Sequence, residues 1–154
     1  MFISPDDKAV VKLGVIAAKK QKAMVMHMHY RLRLPSHDFV HASRHQLIPS
    51  VYSFLSIGSK IGFKNSITYP GPTAVFIRSS KHDQSTAYSH RKDLQTMLHQ
   101  GHFSEFTHND AGVKPVVILR SDNGPDEAPR NPTTQEQMAK LFLQNKLVAL
   151  FLGT

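Results

Sequence analysis

The sequence predicts an α/β domain with a mixed sheet, in which three strand candidates come first and a helix, a strand, a helix and a last strand follow. Three observations carry this expectation. Two short apolar runs, Val116 to Leu119 and Val148 to Leu152, have the length and composition of strands buried on both faces. A segment with helical spacing stands before each of them, from Asp83 to Gln100 and from Pro132 to Leu147. Upstream of Asp83 the chain is β-prone, punctuated by Gly and Pro, and offers no long helix. Its 154 residues suffice for one domain with one hydrophobic core.

Taken in order, Phe2-Ile3-Ser4 reads as a brief strand that runs into a turn at Pro5-Asp6-Asp7-Lys8. Residues 9–23 mix apolar and basic side chains, with Gly14 as a break. In residues 24–34, Met24, Met26, Met28, Tyr30, Leu32 and Leu34 alternate with Val25, His27, His29, Arg31 and Arg33. A period of two predicts a half-buried strand, its methionine row in the core and its basic, His-bearing face outward; Pro35 ends it. Residues 36–46 read as a short helical turn capped by Ser36, with His37, His41 and His45 along one side.

Leu47 to Leu55 is β-prone, Gly58 to Lys64 reads as a hairpin turn, and Ile67 to Arg78 as the next strand region, best from Thr73 to Ile77. In the first helix Ala87, Leu94, Met97 and Leu98 form the apolar side and Gly101 the stop, with Asp83 either capping its start or standing beside a site. The run from Val116 ends in Asp122-Asn123-Gly124-Pro125-Asp126-Glu127, a turn. Pro132 opens the second helix, with Thr133 or Thr134 as cap and Met138, Leu141, Phe142 and Leu147 as its buried face.

Composition narrows the function. Lys and Arg number 19 against 11 Asp and Glu, a net charge of +8, and a basic surface attracts polyanions, nucleic acid most commonly. The absence of cysteine excludes disulfides and cysteine-based zinc sites and agrees with a reducing compartment. No apolar run reaches membrane-spanning length and the start lacks the pattern of a signal peptide, so the expectation is a soluble intracellular protein without a membrane partner.

Sites in open α/β sheets are built at the carboxyl ends of strands, which makes Asp122 the first residue to suspect of chemistry. The stretches FISPDDKAVVKLG, HMHYRLRLPSHDFVHASRHQLIPSVY, YPGPTAVFIRSSKHDQSTAYSH and VKPVVILRSDNGPDEAPR resemble transposon-derived eukaryotic proteins with a DDE-type transposase or integrase core. The SPDDK and SDNGPDE turns are the most specific pieces, and the resemblance covers nearly the whole chain. It implies a ribonuclease H-like mixed sheet, made of three antiparallel strands and then helix, strand, helix and strand. It also implies metal-dependent cleavage and strand transfer at DNA phosphodiesters, in the nucleus. Two ions roughly 4 Å apart serve such chemistry, and hard Mg²⁺ or Mn²⁺ calls for convergent carboxylates.

By this resemblance Asp6 or Asp7 supplies the first carboxylate and Asp122 the second, while Lys8, Arg78, Lys81, His82 and Arg120 are the cationic groups placed to meet DNA. A third acid belongs on a later helix, and the sequence stops at Thr154 before one. Asp126 and Glu127 share the turn of Asp122, and Glu136 lies in the wrong helix. The expectation is thus a single partial domain over residues 1–154, C-terminally incomplete, inactive alone, and self-associating through the uncovered strand Val148 to Leu152. A non-catalytic remnant that binds nucleic acid or a protein partner is the alternative. A His-rich metal-binding protein built on His37, His41 and His45 is a third, although that trio and the pair His27 and His29 read better as basic surfaces.

Overall fold

Along β1 (Phe2–Asp7) the N–H groups of even-numbered residues face one neighbouring strand, as the Lys8 N–H does in reaching the Pro49 carbonyl at 2.9 Å. Those of odd-numbered residues face the other neighbour, where the Met1 amino group donates to the Val116 carbonyl. Pro5 therefore falls where an N–H would meet the Arg120 carbonyl, and the Ser4 hydroxyl donates to that oxygen instead, at 3.1 Å. This substitution lets β1 run through Pro5 to Asp7, where the sequence predicted a turn after Ser4.

The computed structural model describes residues 1–15, 39–40, 46–57, 67–68, 71–122, 124 and 127–154. Around β1 lie β2 (Gln46–Ile57), β3 (Thr73–Ser79), β4 (Val116–Arg120) and β5 (Ala149–Gly153), in the order β5-β4-β1-β2-β3. β2 is antiparallel to β1, with Ile3 opposite Phe54 and Asp7 opposite Ser50, and β3 is antiparallel to β2. β4 is parallel to β1, Ile3 opposite Leu119, and β5 is parallel to β4. The fold is thus α/β with a mixed five-strand sheet, and its helices are α1 (Ala87–His99), α2 (Ser104–Thr107) and α3 (Pro132–Gln144). Short pairings extend the sheet where Val11–Lys12 and Ile67–Thr68 each add to β2.

One core holds these elements together. Ile3, Tyr52, Phe54, Ala74, Val117 and Leu119 from the sheet meet Leu94, Met97 and Leu98 of α1 and Met138 and Leu141 of α3. Each such Leu, Ile or Met side chain contributes about 1.5–3 kcal/mol by leaving water. Phe54 stacks on Phe103 within this core, centroids 5.3 Å apart. Gly71 has no room for a side chain, since a Cβ there would stand 2.7 Å from the Phe54 Cβ.

The apolar runs of β4 and β5 predicted burial on both faces, and the structure corrects this. Val117 and Leu119 are buried while Val116 and Arg120 are exposed, and Phe151 of β5 is 58% exposed. α1 and α3 both pack on the face that carries Ile3, Val117 and Leu119, so only alternate residues enter the core. The helix starts differ as well. α1 begins at Ala87, capped by Thr86 in a reciprocal pair with Ser89, while Asp83 sits in the preceding turn with its N–H on the Ser79 carbonyl. α3 is capped by Asn131, whose Oδ1 accepts from the Thr133 N–H at 3.0 Å, because Pro132 occupies the first helical position and leaves the cap to the residue before it.

Phe39–Val40, read as part of a helical turn, pairs in extended form with Gly14–Val15. The strand expected at 24–34 with its methionines, His27 and His29, the trio His37, His41 and His45, the turn at Gly58 to Lys64, and Asp126 lie outside the described residues. No described helix is long and apolar enough to cross a membrane.

Candidate metal centre

Strand parity separates the two neighbouring aspartates. Asp7 shares the face of Ile3 and Pro5, toward α1, whereas Asp6 shares the face of Ser4 and is ion-paired with the exposed Lys8. The parallel alignment of β1 and β4 sends their carboxyl ends to the same end of the sheet. Asp122 follows β4 there but is exposed, and its Oδ1 accepts the Gly124 N–H at 3.0 Å in its own turn. It lines an open depression of about 400 Å³ together with Ser4, Asp6, Leu55, Arg120 and Thr154. The structure therefore brings Asp122 to a common surface with Asp6 and leaves Asp7 with other partners.

Those partners are His90 and Glu127. The turn after β4 doubles back through the Glu127 and Ala128 N–H groups on the Gly124 carbonyl, and Ser121 Oγ donates to the Glu127 carbonyl at 3.1 Å. This carries the Glu127 side chain inward, to 4% exposure. His90 Nε2 stands 3.4 Å from Glu127 Oε1 and 3.7 Å from Asp7 Oδ2. One ligand-type atom from each of Asp7, His90 and Glu127 lies within 4.8 Å of the others. Glu127, set aside from its sequence as a turn residue, is thus a buried member of the cluster.

A buried chain of polar groups stands behind His90. Its Nδ1 is 2.6 Å from the Tyr52 hydroxyl, which donates to Asp93 Oδ2 at 2.7 Å. Asp93 is ion-paired with Arg78, whose second guanidinium nitrogen donates to Ser50 Oγ at 2.7 Å. Burial raises the Tyr52 pKa and the neighbouring Asp93 carboxylate raises it further, so the phenol keeps its proton. Since that single proton goes to Asp93, Nδ1 must be the donor toward Tyr52, and Nε2 is the nitrogen turned to Ser85 Oγ, at 3.0 Å, and to the carboxylates. For Asp7, burial alone would raise the pKa, but hydrogen bonds from His90, Ser50 and Ser85, and the charge of His90, outweigh it and lower it to about 2.

This arrangement relocates one predicted cation. Arg78, read as a group for phosphates, is 3% exposed and committed to Asp93 and Ser50. Lys8, Lys81, His82 and Arg120 are exposed, and because β1, β3 and β4 run the same way they gather at the carboxyl end of the sheet. Glu136 is on the surface of α3, paired with Lys140 at 2.6 Å.

The residues present fit a divalent ion. Two carboxylates and an imidazole nitrogen converge, and Asp7 Oδ1 is buried without a hydrogen bond. His90 and Asp93 were legible only in part: on α1 they fall on the same stripe as Ala87, Leu94 and Met97, and a polar side chain on an apolar stripe is the signal that marks them. The chain matches no protein-family model, no curated protein and no solved structure.

Proposed function

We propose that the chain is a ribonuclease H-like core of the DDE transposase and integrase kind, acting on DNA phosphodiesters with a divalent metal ion, Mg²⁺ or Mn²⁺. The observation that carries this reading is the convergence of Asp7 from β1 and Glu127 from the turn after β4 at the carboxyl end of two adjacent parallel strands. Support also comes from the element order, three antiparallel strands followed by helix, strand, helix and strand, which is the order the resemblance implies. Asp7 and Glu127 would hold the ion with His90, and a bound ion supplies charge stabilisation at a phosphodiester oxygen. The exposed Lys8, Lys81, His82 and Arg120 at the same end would orient the phosphate backbone, an electrostatic task that needs no base recognition.

One observation favours the second reading, a non-catalytic nucleic-acid-binding remnant. Asp122 folds onto its own turn and lines a different surface from Asp7, so a second ion lacks ligands among the described residues. Incubation of supercoiled DNA with Mg²⁺ or Mn²⁺ separates the two. Nicking that is lost in Asp7→Asn and reduced in Asp122→Asn supports the catalytic core. Binding that weakens steeply with salt, with no nicking under either ion and no response to those changes, supports the remnant.

A further inference from the structure

Two carboxylates and an imidazole are a different ligand set from the all-carboxylate cluster that hard ions prefer. We infer that Asp7, His90 and Glu127 form a three-ligand site selective for a borderline divalent ion that accepts nitrogen as well as oxygen, such as Zn²⁺ or Co²⁺, over Mg²⁺. The inference rests on the functional reading above only in locating the metal, and names which ions the site takes.

Three features of the site lead to it. First, the donor count along Asp93, Tyr52 and His90 places a proton on Nδ1 and turns Nε2 to the other side, where Ser85 Oγ stands at 3.0 Å, Glu127 at 3.4 Å and Asp7 at 3.7 Å, so that Nε2 is the nitrogen an ion would take in place of the Ser85 contact. Metal-bound histidines are held in this way, by an outer partner on the second ring nitrogen. Here the outer partner is itself anchored, because Asp93 is ion-paired with the buried Arg78. Second, the ligands come from three separate parts of the fold, β1, α1 and the turn after β4, each fixed by its own hydrogen bonds or packing. The set can therefore close on an ion with small movements. Third, a cavity of about 30 Å³ lies against His90 and Glu127, walled by apolar groups that include Leu94, Leu119 and Met138. That is room for one or two waters, so a three-ligand ion would keep open coordination positions.

Nitrogen ligation is what discriminates the ions. Mg²⁺ retains its waters and takes oxygen ligands, so an imidazole in the set contributes little to its binding, while Zn²⁺ and Co²⁺ gain from it.

The test is spectroscopic titration of the metal-free chain with Co²⁺, whose visible absorption reports its coordination geometry and changes when a ligand is lost, followed by competition with Zn²⁺, Mn²⁺ and Mg²⁺. One equivalent of Co²⁺ should bind and be displaced by Zn²⁺ at stoichiometric amounts, and by Mg²⁺ only in large excess. His90→Gln and Glu127→Gln should lose the spectrum. Tyr52→Phe keeps the ring in place and removes only the hydroxyl that holds Nδ1, so it should lower Co²⁺ affinity about 10- to 100-fold with the fold intact by circular dichroism. Co²⁺ binding unchanged in both folded His90→Gln and Tyr52→Phe chains, equal competition by Mg²⁺, or no binding by the folded parent chain would each overturn the inference. DNA nicking measured on the same samples separates the two claims. Mg²⁺-dependent nicking that survives His90→Gln keeps the functional reading and removes this one. Stoichiometric Co²⁺ binding through His90 without nicking under any ion does the reverse.

Discussion

Replacing Arg78 by Met tests the buried polar chain at its most costly link. Arg78 is 3% exposed, and its guanidinium meets Asp93 and Ser50 on the helix-facing side of the sheet. Burial opposes its charge, yet the hydrogen bond and charge of Asp93 raise its pKa, so the guanidinium stays charged. Met fills a similar volume, and the change therefore strands the Asp93 carboxylate in the core with only the Tyr52 hydroxyl as donor. Breaking one side of a buried ion pair costs about 3–5 kcal/mol. For a chain of this length each kcal/mol lowers Tm by roughly 2–4 °C, so Tm should fall by about 10 °C. The double variant Arg78→Met, Asp93→Leu removes the stranded charge and should recover most of that loss. Urea and thermal unfolding of the parent, both single variants and the double variant measure the cycle. A cost below about 1 kcal/mol for Arg78→Met, with no recovery in the double variant, would refute the burial of this pair and return Arg78 to the surface.

Four other changes probe separate parts of the fold. In metal-free protein, the depressed Asp7 pKa means that its ionised form stabilises the fold above the ordinary value of 3.8, and this contribution is lost as pH falls from 3.8 toward about 2. Asp7→Asn should flatten acid unfolding in that window, and an unchanged acid limb would contradict the network around His90. Asn131→Ala removes the α3 cap and should cost about 1 kcal/mol in urea unfolding, whereas Thr133→Ala should cost less. Val148 and Phe151 are 76% and 58% exposed beside β5, which ends the sheet among the described residues. Concentration-dependent self-association by sedimentation should therefore be seen, and Phe151→Lys should suppress it. Lys81→Ala should weaken DNA binding equally across sequences and reduce the salt slope by about 1, an effect absent if the turn after β3 does not touch phosphate.

The order of the long elements from Thr73 onward was readable from the sequence because it depends on local signals. The Pro132 start, the Ala87, Leu94 and Met97 spacing and the apolar run at Val116 each announce themselves within a few residues. The face each strand would bury was not readable, because β4 carries four apolar residues in a row and only the placement of α1 and α3 makes Val117 and Leu119 the core pair. The choice between Asp6 and Asp7 had the same character. With β1 taken to end at Ser4 no parity could be carried to the aspartates. Once the Ser4 hydroxyl replaces the N–H that Pro5 lacks, Ile3 fixes the parity and Asp7 is the residue that faces α1.

Glu127 shows why counting acids by element misplaces a site. The sequence assigns Glu127 to the same polar turn as Asp122, and two residues of one turn read as one solvated group. The turn, however, reverses through Gly124, whose carbonyl accepts two N–H groups, so its beginning and end face opposite sides of the sheet. Asp122 is left outward with Arg120 and Asp6, and Glu127 goes inward to His90. The acidic turn thus divides its carboxylates between an open depression shared with Asp6 and Arg120 and a buried cluster with Asp7 and His90. Pro5 and Ser121 line both the depression beside Asp122 and the cavity beside His90 and Glu127, so the reversal at Gly124 leaves the two places adjoining although their carboxylates face apart.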